Sequence, residues 1–87
     1  MKKDKDVQKL YDKLLDLLAK HQDIEVPVNS ISWVNDTLDM IDIGFYGKEP
    51  DGDNQEKLAE QGFTLTKEEA ISELETRITN FKSALGI

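Results

Sequence analysis

Asp23-Ile24-Glu25-Val26-Pro27-Val28-Asn29-Ser30-Ile31-Ser32-Trp33-Val34-Asn35-Asp36-Thr37-Leu38-Asp39-Met40-Ile41-Asp42-Ile43-Gly44-Phe45-Tyr46 is the stretch on which the fold turns. Ile24, Val26 and Val28 alternate with Asp23, Glu25 and Pro27, the period of a strand with one apolar face. Pro27 has no N–H for a ladder, so this piece reads as an edge strand or a lead-in. Asn29-Ser30 fits a bulge or turn, and Ile31, Trp33 and Val34 around Ser32 make a second β segment. Asn35-Asp36 tolerates positive φ and reads as a hairpin turn. Thr37–Tyr46 then puts Ile41, Ile43 and Phe45 on one strand face and Met40, Asp42 and Gly44 on the other. The expectation is a two- or three-stranded antiparallel sheet.

Both flanks read as helices. In residues 4–22, Val7, Leu10, Leu14, Leu17 and His21 recur at i, i+3, i+7, i+10 and i+14, widened by Tyr11 and Leu18. Asp16 and Lys20 form an i,i+4 pair on the other side. Downstream, Gly47-Lys48-Glu49-Pro50-Asp51-Gly52-Asp53 has loop composition. Residues 54–61 fit two helical turns, capped by Asp53 or Asn54 and closed by Gly62. Thr66-Lys67-Glu68-Glu69 is a capping box, with Leu65 placed to staple onto Ala70. Ile71, Leu74, Ile78, Phe81 and Leu85 repeat the helical spacing, Glu73 and Arg77 suit an ion pair, and Gly86 marks the end. A helix is predicted over 67–84. Together these elements predict an α+β two-layer domain: N-terminal helix, small antiparallel sheet, acidic loop with a short helix, C-terminal helix.

At 87 residues and 9.9 kDa, the chain has room for one domain, residues 1–87. The absence of cysteine excludes disulfides, thiolate metal sites and a cysteine nucleophile. His21 is the single histidine and ends an apolar stripe, a structural position. No phosphate-binding glycine loop, nucleophile elbow or paired-histidine motif is present, so the chain does not read as an enzyme and calls for no cofactor. Counted from Asp51, a calcium loop would need glycine at Glu56 and glutamate at Gly62, and it fails at both. Apolar runs are far shorter than the ~20 residues of a membrane span. The basic start Met1-Lys2-Lys3 leads into no apolar signal core, which points to the cytoplasm, and Asn35-Asp36-Thr37 is then a chance sequon.

The charge is unevenly placed. The net is −7, and residues 36–60 hold eight acidic side chains against Lys48 and Lys57, a balance of −6. Direct nucleic-acid binding is disfavoured by this sign. Asp36, Asp39, Asp42, Glu49, Asp51, Asp53, Glu56 and Glu60 are the expected partner-binding residues, spaced to imitate phosphates before a basic groove. The bland account is that acidic loops keep a small protein in solution. Trp33 and Tyr46 are candidate aromatic anchors or core residues.

In size, acidity, lack of cysteine and expected α+β layout, the chain is similar to small inhibitors from phages and mobile elements. Those include anti-CRISPR proteins, uracil-DNA glycosylase inhibitors and other DNA mimics, and acidic immunity proteins that block nucleases. The likeness covers composition and layout and carries no residue-level correspondence. It implies a non-enzymatic, stoichiometric inhibitor whose partner is a basic protein such as a nuclease. The alternative is a small homodimeric assembly protein that pairs through its amphipathic helices.

Overall fold

A computed structural model describes residues 4–21 and 28–87. All regular structure among them is helical: α1 (Lys5–Lys20), α2 (Val28–Gly44), α3 (Asp53–Glu60) and α4 (Lys67–Leu85). The predicted α+β class and its antiparallel sheet are therefore wrong, because residues 28–44 form one helix. The expected strand pairing at Ile24 and Val26 lies outside the described residues.

The physical reason lies in a second period within the same stretch. Ile31, Val34, Leu38, Ile41 and Phe45 stand at i, i+3, i+7, i+10 and i+14, the spacing of one helix face. Val34, Leu38, Ile41 and Phe45 belong to the main core cluster, and Ser30 and Thr37 are buried beside that stripe. Valine, isoleucine and threonine cost a few tenths of a kcal/mol each in a helix. Burying one such apolar side chain returns about 1.5–3 kcal/mol, so packing decides. Ile43, which strand alternation pairs with Ile41, sits roughly 200° round the helix from it and is buried outside the main cluster. Asn35 and Asp36 are exposed helical positions, not a hairpin turn.

The other helices follow their sequence signals closely. Asp4 caps α1 by accepting the Asp6 and Val7 amides at 3.0 and 3.1 Å. Asp16 and Lys20 pair at 2.9 Å. In α4 both arms of the capping box are made: the Glu69 amide donates to Thr66 Oγ1 at 3.1 Å, and the Thr66 amide donates to Glu69 Oε1 at 3.0 Å. Lys67 reaches across to Asp4 and Asp6, both at 3.2 Å, and fastens the start of α4 to the start of α1. The Glu73–Arg77 pair does not form; Arg77 instead donates from Nε to Thr37 Oγ1 of α2 at 3.2 Å. In α3 the N-cap is Gly52 rather than Asp53 or Asn54. Its end is as expected: Gly62 at φ 68° lets the Phe63 amide reach Leu58 O at 3.1 Å.

α4 packs against α1 and α2, and α1 also touches α2, which makes a three-helix core. α3 packs on α2 alone among the helices. The chain leaves α2 at Gly44 and returns there, where the Leu65 amide donates to Gly44 O at 2.9 Å. A Cβ on Gly44 would lie 2.6 Å from Phe63 Cε1, so the close crossing depends on glycine.

Candidate interaction surface

The eight predicted acidic residues divide into two groups. Asp39 and Asp42 belong to a polar clasp that fastens α3 and the loop before it to the bundle. Tyr11 Oη on α1 donates to Asp42 Oδ1 at 2.8 Å, and Lys48 Nζ approaches the same oxygen at 3.3 Å. Gln55 Nε2 on α3 donates to Asp39 Oδ1 at 2.8 Å and, more weakly, to Asp42 Oδ2 at 3.5 Å. Asn54 Nδ2 donates to Asp39 Oδ2 at 2.9 Å, and Gln55 Oε1 accepts the Asp51 amide at 2.8 Å. Asp42 is 9% exposed, so its carboxylate is largely withdrawn from any partner.

Two phenols beside the clasp are raised, chiefly by burial. Burial, then the hydrogen bond to Asp42 and the charge beside it, push Tyr11 well above the usual tyrosine value. Burial, followed by the charges of Asp12, Asp4 and Asp42, raises Tyr46, whose Oη donates to Gln8 Oε1 at 2.9 Å. Tyr46 meets Phe45 and Tyr11 edge-on at 5.1 and 6.1 Å and is 8% exposed. It is a core residue, so its reading as an interface anchor falls away.

Asp36, Glu49, Asp51, Asp53, Glu56 and Glu60 are exposed, and their side chains form no ion pair among the described residues. Asp53, Glu56 and Glu60 stand at i, i+3 and i+7 on α3, hence on one face. Asn54, Gln55 and the half-buried Leu58 take the opposite side, two of them bonding α2. The acidic stripe therefore faces away from the bundle, and the exposed Glu49 and Asp51 precede it in the loop. Its three helical carboxylates lie along roughly 10 Å of axis. Among the described residues, no three acidic or histidine side chains converge to hold a metal ion.

A second surface, absent from the predicted set, lies between α2 and α4. Ser30 and Trp33 face Arg77, Asn80, Phe81 and Ala84 across an open groove of about 290 Å³. Trp33 is 49% exposed, and the Arg77 guanidinium stands 5.6 Å from its ring centre. No sequence signal marks this groove: the spacing pairs Arg77 with Glu73, and the turn of Arg77 toward Thr37 exists only because α2 is a helix.

Among the described residues, no helix is long and apolar enough to cross a membrane. No protein-family model, curated protein or solved structure matches the chain.

Proposed function

We propose that this chain is a non-enzymatic binding protein that occupies the nucleic-acid-binding surface of a basic protein. One observation carries the reading: the Asp53–Glu56–Glu60 stripe faces solvent on a helix that contributes no fully buried residue. A helix so placed is poorly explained by folding alone, and its charge is free to meet cations. Asp36, Glu49 and Asp51 are exposed as well and are proposed to add to the stripe; Asp39 and Asp42 are not, since they hold the fold. The likeness to DNA-mimic inhibitors loses its α+β layout and keeps its size and acidity.

The test is affinity capture with the purified chain, eluted by rising salt, beside the triple variant Asp53→Lys, Glu56→Lys, Glu60→Lys. Capture of basic nucleic-acid-binding proteins is expected, with affinity falling as salt rises and DNA competing for the partner. The variant should lose at least a hundredfold in affinity, about 2.7 kcal/mol, by the usual conversion. Partners that are neutral or acidic and bind regardless of salt would overturn the reading. The homodimer alternative is weakened by the positions of its seam residues: Leu74, Ile78 and Phe81 are buried within the chain's own core.

A further inference from the structure

The groove between α2 and α4 carries a charge arrangement that the acidic stripe does not account for. Arg77 is the sole arginine of a chain with net charge −7. Glu73 stands one turn before it, at the spacing that ordinarily gives an ion pair. The guanidinium is turned instead toward α2, held by Nε on Thr37 Oγ1 at 3.2 Å and standing over Trp33. No carboxylate neutralises it among the described residues. Its two terminal nitrogens have no partner there, and Arg77 itself lines the groove. A guanidinium fixed at one nitrogen offers the rest of its fork in a set orientation, which matches a carboxylate at two points.

The apolar surface of the groove is set by Trp33 and Ala84, the buried Phe81 contributing only an edge, with Ser30 and Asn80 as polar edges. The space is open and about 290 Å³, enough for a side chain or two and short of enclosing a small molecule. Tryptophan and arginine are also the residues on which interface energy concentrates.

The geometry points to this groove as a docking site for a peptide segment of a partner protein, one that presents an Asp or Glu beside a bulky apolar side chain. The carboxylate meets Arg77, and the apolar neighbour lies against Trp33 and Ala84. The site is distinct from the α3 stripe, which takes cations.

The experiment is a random-peptide display selection on the immobilised full chain, with counter-selection on Arg77→Ala to remove peptides drawn to the acidic surface. Because Trp33 is the only tryptophan, its fluorescence reads the groove directly. Enriched peptides are expected to share an Asp or Glu next to a large apolar residue and to change Trp33 emission saturably. Replacing that acid by its amide should weaken binding at least tenfold. Arg77→Lys, which keeps the charge without the fork, should weaken it less than Arg77→Ala does; melting curves of both variants separate lost binding from lost folding. Survivors without an acidic residue, or no survivors, would overturn the assignment. So would Trp33 emission that changes with protein concentration alone, which would put a second copy of the chain in the groove.

Discussion

The carboxylates of α2 and those of α3 are the same chemistry put to opposite uses. Asp39 and Asp42 are enclosed by Tyr11, Lys48, Asn54 and Gln55, and each oxygen has a donor. Asp53, Glu56 and Glu60, a few residues later, are exposed and unpaired among the described residues. What separates them is the company of their helix. α2 is covered on several sides, by α1, α3 and α4, so a carboxylate at its flank must be satisfied internally. α3 is covered on one side alone, so its outer charges keep their water. Net charge over residues 36–60 therefore overstates the charge a partner would meet.

The contrast breaks hardest at Asp42. Changing it to Ala strands the Tyr11 hydroxyl and the weaker Gln55 contact in a half-buried place, a loss of about 2–3 kcal/mol. For a domain this size that lowers the melting temperature by roughly 10–20 °C, measurable by circular dichroism.

Gly44→Ala probes the same junction without touching charge. The gain in helix propensity is at most ~1 kcal/mol, and less at a helix end. The added methyl meets the Phe63 ring at 2.6 Å, with Leu65 Cγ at 3.1 Å behind it, and such overpacking costs about 1–3 kcal/mol. The clash wins, and urea unfolding should show a net loss of about 1–2 kcal/mol.

The tyrosines supply a pH version of the comparison. Both Tyr11 and Tyr46 are raised above the ordinary value of 10.0, so the fold favours their protonated forms. That stability is fully present below about pH 10, where unfolded tyrosine is also protonated, and is lost as pH climbs beyond it. The urea midpoint should be flat from about pH 8 to about 9.5 and fall above about 10. Tyr11→Phe should flatten the fall; an unchanged slope would remove Tyr11 as its source.

The smallest effect belongs to α3. Replacing Asp53, Glu56 and Glu60 by Asn, Gln and Gln should shift unfolding by no more than about 0.5 kcal/mol, as exposed charges usually do. A large loss would show that the outer face of α3 serves the fold after all.

Helical spacing and local caps carry most of what is legible in the sequence. The runs 7, 10, 14, 17, 21 and 71, 74, 78, 81, 85 are read correctly as α1 and α4, and the capping box fixes the start of α4 to the residue. The run 31, 34, 38, 41, 45 has the same spacing, yet alternation at Ile41, Ile43 and Phe45 and the β-branched content outweigh it when the letters alone are read. Local propensity and burial disagree there, and burial is the stronger of the two. Gly62 correctly closes α3, because a left-handed glycine is a local requirement. The clasp is not legible: Tyr11 and Asp42 are 31 positions apart, and nothing in composition tells a satisfied carboxylate from a free one.

The bond from Leu65 to Gly44 has a consequence for how this chain can change over evolutionary time. It brings the two ends of a twenty-odd-residue excursion to one point, so the bundle registers the loop and α3 as a single step along its own path. Closing a longer or shorter detour between fixed ends alters the entropy cost by roughly 0.6 kcal/mol per doubling of length. Insertions, deletions and wholesale recoding at residues 47–62 are thus insulated from the three-helix core, provided the Asp39–Asp42 latch keeps a counterpart. The acidic arm is the part of this chain most free to be rewritten, while the remainder stays under the slower discipline of packing.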